Sequence, residues 1–322
     1  MLLSNRGNMG MRIIVFMGAA TFLFLMLMAF GLKKSLQPQA GARVPEGAAT
    51  SPFQEDRAWA DVEALRALGS DEKLRRDFVS KSLRTAGLKT RRITLGTPGT
   101  AAAPPESALV GIVEGNRPGV LLLGTVLNAP PGGDTTTAAD AAWLLEMTRI
   151  LGNQRDGRSI WAVFLESSGG AATTEPPSPP QAGAQLVEAL RASGELDEID
   201  AVVMVQGIGD CTLAVVKEAG APPVLTEILW NTAAREGYKT FFGKLPARVQ
   251  GNHLAFREAG IPALSLFDVR PGSRERRESS ENAEAPGDTC RESLRAVGDV
   301  IYHALAPLEG HLDETGMRND GH

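Results

Sequence analysis

Short apolar segments alternate with amphipathic helical segments through most of this chain. Residues 120–127, 160–165 and 199–205 are almost wholly apolar, and turn-forming residues separate them from the helical segments. Strands that are buried on both faces have this composition, which is typical of parallel sheets covered by helices. The sequence therefore predicts an α/β fold of three layers, α/β/α. Its central sheet is expected to be mostly parallel, with these three strands side by side in the middle.

The helical segments show apolar residues at spacings of three and four, which place them on one face of a helix. This pattern predicts helices over residues 138–151, 224–235 and 294–305. Two segments interrupt the alternation. Residues 171–184 are rich in Pro, Thr and Ala, and residues 270–288 are charged, so both are interpreted as loops. In sheets of this type, binding sites are built from loops at the carboxyl ends of the strands.

An uncharged apolar run near the N-terminus predicts a membrane anchor. Residues 13–32 have the length of about twenty residues that a helix needs to cross a bilayer. A cleaved signal peptide is an alternative, because Ala40-Gly41-Ala42 has the form of a cleavage site, and a buried core helix is another. The predicted organisation follows in chain order: an N-terminal flank (1–12), a transmembrane anchor (13–32), a flexible tether (33–52), an α/β domain (53–308) and a polar tail (309–322).

The anchor and the overall charge restrict the partners. Membrane lipid is the expected partner of residues 13–32, and a signal-anchor arrangement places the domain on the periplasmic or extracellular side. Proteins that bind nucleic acid need a clustered basic surface, and a formal net charge of −5 argues against one. Nucleic acid is therefore not an expected partner. Cys211 and Cys290 lack the spacing of a metal site, and whether they pair is left open.

Five segments have the character of family motifs. They read PGVLLLG (118–124), LLEMTRIL (144–151), LWNTAAREGY (229–238), NHLAFREAGIPAL (252–264) and SLRAVG (293–298). Together, and in this order, they resemble the zinc-dependent aminopeptidase and glutaminyl-peptide cyclotransferase family, over roughly residues 53 to 308. The resemblance implies the metallopeptidase-like fold of that family.

The same resemblance implies a zinc site whose ligands this sequence lacks. The family holds zinc with His, Asp and Glu side chains, and the metal polarises a carbonyl group. The corresponding positions here are Val126 and Asn128 (a His and an Asp in the family), Thr136 (Asp), Glu166 and Ser167 (a pair of Glu) and Gln206 (Asp). Asn252 and His253 correspond to an Asp–His turn that the resemblance places beside the metal rather than on it. No histidine lies between His253 and His303 to supply the last ligand. Valine and neutral polar side chains are poor zinc ligands.

Three functional hypotheses follow from these positions. The first is a membrane-anchored, catalytically inactive domain, without a cofactor, that acts as a binding or scaffold subunit for protein partners. The second is an active zinc peptidase or glutaminyl cyclase with an unusual ligand set from Asp134, Asp140, Glu166 or Asp210. The third is a peptide-binding or solute-binding module that uses the vacant pocket. The first is preferred, because packing and partner binding tolerate the loss of these ligands whereas zinc catalysis does not.

Overall fold

The computed structural model describes residues 52–96, 106–128, 136–152, 154–166, 181–210, 213–268 and 291–315. The predicted anchor lies outside these residues, as do Ser167 and both cysteines, so the corresponding predictions stay predictions. Within the described ranges, no helix has the length and apolar character needed to span a bilayer.

The described residues form helices and strands in alternation. The helices are α1 (Glu55–Ala67), α2 (Glu72–Thr85), α3 (Thr136–Leu151), α4 (Gln181–Ser193), α5 (Pro223–Arg235), α6 (His253–Glu258) and α7 (Arg291–Thr315), with a 3-10 turn at Leu196–Glu198. The strands are β1 (Lys89–Thr94), β2 (Ser107–Val126), β3 (Gln154–Glu166), β4 (Ile199–Gln206), β5 (Val215–Glu218), β6 (Phe242–Ala247) and β7 (Ala263–Phe267). The three predicted helices correspond to α3, α5 and α7.

The main sheet is organised around β2, whose two parts run along opposite edges of β3. The first part is antiparallel to β3, from Ser107 opposite Glu166 to Val113 opposite Ile160. In the second part the paired residue numbers rise together, from Leu121 opposite Ile160 onward, which is the register of parallel strands. The strand order is therefore β1, the first part of β2, β3, the second part of β2, β4 and β7. The three predicted strands are neighbours in the middle of the sheet, as expected.

One glycine permits β2 to double back. Gly119 has φ of +93°, a backbone conformation that L-amino acids with side chains rarely adopt. A Cβ atom at this position would also lie 1.8 Å from a carboxylate oxygen of Asp200 on β4. Only glycine satisfies both conditions, so this residue places the second part of β2 between β3 and β4.

The sheet is parallel over only part of its width. From β3 to β7 the neighbours run parallel, but β1 and the first part of β2 are antiparallel to their neighbours. The sheet is therefore mixed. The antiparallel part arises because β2 reverses direction between its two parts, so that its first part runs against β3 and its second part runs with it.

Helices cover both faces of the sheet. Leu122 and Val202 pack in a core cluster with residues of α4 and α6. The alternate residues Leu121 and Ala201 line a wholly apolar cavity with α5 and α7 on the other side. Because successive side chains of a strand point to opposite faces, these contacts define the three predicted layers.

The last helix is longer than predicted. α7 continues to Thr315, and Glu309 and Leu312 are buried. The predicted polar tail began at residue 309, and the described part of this segment is helical up to Thr315. Pro307 lies inside α7, and the helix continues through it.

Candidate functional site

The sheet brings several of the predicted site positions to one edge. Val126, Glu166 and Gln206 are the last residues of β2, β3 and β4. The Leu127 N–H group donates a hydrogen bond of 2.8 Å to the Leu165 carbonyl, so the ends of β2 and β3 are directly adjacent. This is the carboxyl edge, where α/β proteins build their sites.

Val126 is part of the hydrophobic core. Its exposed fraction is 6%, and it belongs to the cluster that contains Leu165 on β3, Leu186 on α4 and Phe256 on α6. The position at which the resemblance implies a metal-binding histidine thus carries a side chain without a donor atom, packed among other apolar groups. The core occupies the space on this side of the edge.

Glu166 is engaged by cations of the protein itself. Its Oε2 atom accepts hydrogen bonds from Arg76 Nη1 at 3.0 Å, from Arg92 Nη2 at 3.0 Å and from Ser107 Oγ at 2.7 Å. The other oxygen, Oε1, is buried and has no hydrogen-bond partner. Two guanidinium groups of this chain therefore occupy one oxygen of the Glu166 carboxylate.

The neutral amide of Asn252 accepts a hydrogen bond from the backbone of another segment. Its Oδ1 atom accepts a hydrogen bond of 2.8 Å from the Gly183 N–H group in the first turn of α4. That turn has N–H groups without partners inside the helix, so an acceptor from another segment stabilises it. A Cβ at Gly183 would lie 2.3 Å from the Asn252 carbonyl oxygen, so the two backbones are in close contact.

His253 is fully buried and bound to an acid on another strand. Its Nε2 atom lies 2.9 Å from Oε1 of Glu218 on β5. Glu218 also accepts a hydrogen bond from Arg257, and its Oε2 atom accepts one of 3.2 Å from the Ser265 N–H group on β7. This buried network joins α6, β5 and β7, so the geometry assigns His253 a structural contact rather than a free ligand position.

Among the remaining predicted positions, those whose side chains the structure describes have structural surroundings. Asn128 and Gln206 are buried amides, and Thr136 is the first residue of α3, where its side chain is not described. Asp140 accepts hydrogen bonds from the N–H groups of Gly207 and Ile208 at 2.8 and 3.0 Å. Its carboxylate therefore closes the turn after β4.

These residues do not fit a zinc ion. Zinc requires at least three nitrogen, sulfur or carboxylate ligands arranged around one point. In the ranges that the structure covers, no group of three His, Cys, Asp or Glu side chains is placed to hold a metal. Of the four carboxylates considered for an unusual ligand set, Glu166 pairs with arginines and Asp140 binds backbone N–H groups. Asp134 lies outside the described residues, and Asp210 lies in the segment after β4, where its carbonyl accepts a hydrogen bond from Ser293 Oγ.

The arginines at this edge were not predicted from the sequence. Arg75, Arg76 and Arg92 lie close to the predicted site, and Arg75 is buried in line with Val79 and Leu83 on α2. Residues 75, 79 and 83 recur at a spacing of four. An arginine at a position that the helical period assigns to the core is the signal that could have identified it.

Comparison with solved structures shows the fold. The glutaminyl cyclase of an Acidobacteriales bacterium matches with a TM-score of 0.65 and 21% identity, over 84% of this chain and 99% of that chain. The Porphyromonas gingivalis glutaminyl cyclase matches with a TM-score of 0.63 and 20% identity, over 80% of this chain and 100% of that chain. A putative Zn-dependent exopeptidase from Bacteroides vulgatus has a TM-score of 0.62 and 15% identity, over 81% and 97% of the two chains.

The class of fold is thereby established. The chain has the mixed α/β fold shared by bacterial glutaminyl cyclases and Zn-dependent exopeptidases, as the sequence motifs indicated. No protein-family profile and no curated protein matches the sequence. At these identities the likeness concerns the fold, and the site has to be interpreted from its own residues.

Proposed function

We propose that this chain is a membrane-anchored, non-catalytic domain with the glutaminyl cyclase fold that acts as a binding or scaffold subunit. The main support for the proposal is that the residues at the predicted zinc site make structural contacts within the domain. Val126 lies in the core, Glu166 is bound by two arginines, and His253 is bound to Glu218. Each of these contacts stabilises the domain, and none leaves a reactive group directed at a substrate.

The proposal predicts that the protein has neither glutaminyl cyclase nor aminopeptidase activity. The full chain, in detergent and with added zinc, should convert N-terminal glutamine peptides and aminoacyl substrates no faster than buffer does. Both reactions require a Lewis acid and a proton acceptor, whereas the described residues of this edge place no three ligands around a metal and bind the Glu166 carboxylate with two arginines. The assay follows pyroglutamate and free amino acid by mass spectrometry, with Glu166→Gln as the matched control. Turnover that a chelator abolishes and that Glu166→Gln reduces would contradict the proposal.

The anchor is a separate part of the proposal and has its own test. The full chain should sediment with membranes and resist extraction by high salt and alkaline carbonate. A chain lacking residues 1–50 should remain in the soluble fraction, because the described domain starts after them. The measurement is fractionation followed by immunoblotting, with protease protection in intact cells to report the side of the membrane. A full-length chain that alkaline carbonate releases would contradict the anchor.

A further inference from the structure

We draw no further inference here: the strongest candidate, a disulfide that would join the segment after β4 to the start of α7, where Ser293 Oγ donates a hydrogen bond of 2.6 Å to the Asp210 carbonyl, rests on Cys211 and Cys290, which lie outside the described residues.

Discussion

Replacement of Glu218 by alanine is expected to lower the free energy of unfolding by about 3–5 kcal/mol, the range found when one partner of a buried charged network is removed. Glu218 is buried and accepts hydrogen bonds from His253, Arg257 and the Ser265 N–H group. The alanine variant leaves the fully buried imidazole and a backbone donor on β7 without an acceptor. Denaturant unfolding of the full chain in detergent, followed by circular dichroism, gives the change in free energy.

Two further variants make this test specific. Glu218→Gln keeps the shape and one acceptor oxygen, so its loss should be smaller than that of the alanine variant. Glu227→Ala removes an exposed carboxylate from α5 and should change the free energy of unfolding by less than about 0.5 kcal/mol. If Glu218→Ala lies within 1 kcal/mol of wild type, the network does not hold His253, and the structural assignment of this histidine fails.

Replacement of Arg158 by methionine is expected to have an effect of similar size, about 3–5 kcal/mol. Arg158 is buried on β3, with Nε 2.6 Å from Asp200 and Nη1 2.8 Å from Asp313 on α7. Burial alone would lower the pKa of Arg158, but the hydrogen bonds to the two aspartates outweigh it and raise the pKa. The methionine fills a similar volume but leaves the Asp200 carboxylate without its partner.

The contribution of the exposed partner gives an internal comparison. Asp313 is about half exposed, so Asp313→Asn should lower the free energy of unfolding much less than Arg158→Met does, because exposed ion pairs contribute little. Equal losses for Arg158→Met and Asp313→Asn would contradict the view that the buried Arg158–Asp200 pair dominates. The same unfolding measurement compares the two variants.

The middle of the sheet was predictable because burial on both faces requires apolar residues throughout a strand. The second part of β2, β3 and β4 meet this condition. β1 does not: Lys89, Arg91 and Arg92 lie in a half-exposed edge strand, where charges are tolerated, so its sequence has no strand signal. The small sheet of β5 and β6 was also missed, because β5 has four residues and β6 contains Pro246.

The sequence could place the predicted site residues relative to the strands, but it could not predict their contacts. The motifs located Val126, Glu166 and His253, and two of these end or follow strands that could be recognised. The partners of Glu166 are Arg76 and Arg92, which are 90 and 74 residues away in the chain. No local pattern links residues at such separations, so only the folded structure shows that the carboxylate is engaged.

The zinc content of the purified full chain tests the central claim most directly. Protein from cells grown with added zinc should contain well below one zinc per chain by elemental analysis after gel filtration. Val126→His restores one family ligand and should not raise this value, since zinc affinity requires several ligands acting together. One zinc per chain in the wild type, removed by a chelator and regained on adding zinc, would contradict the account.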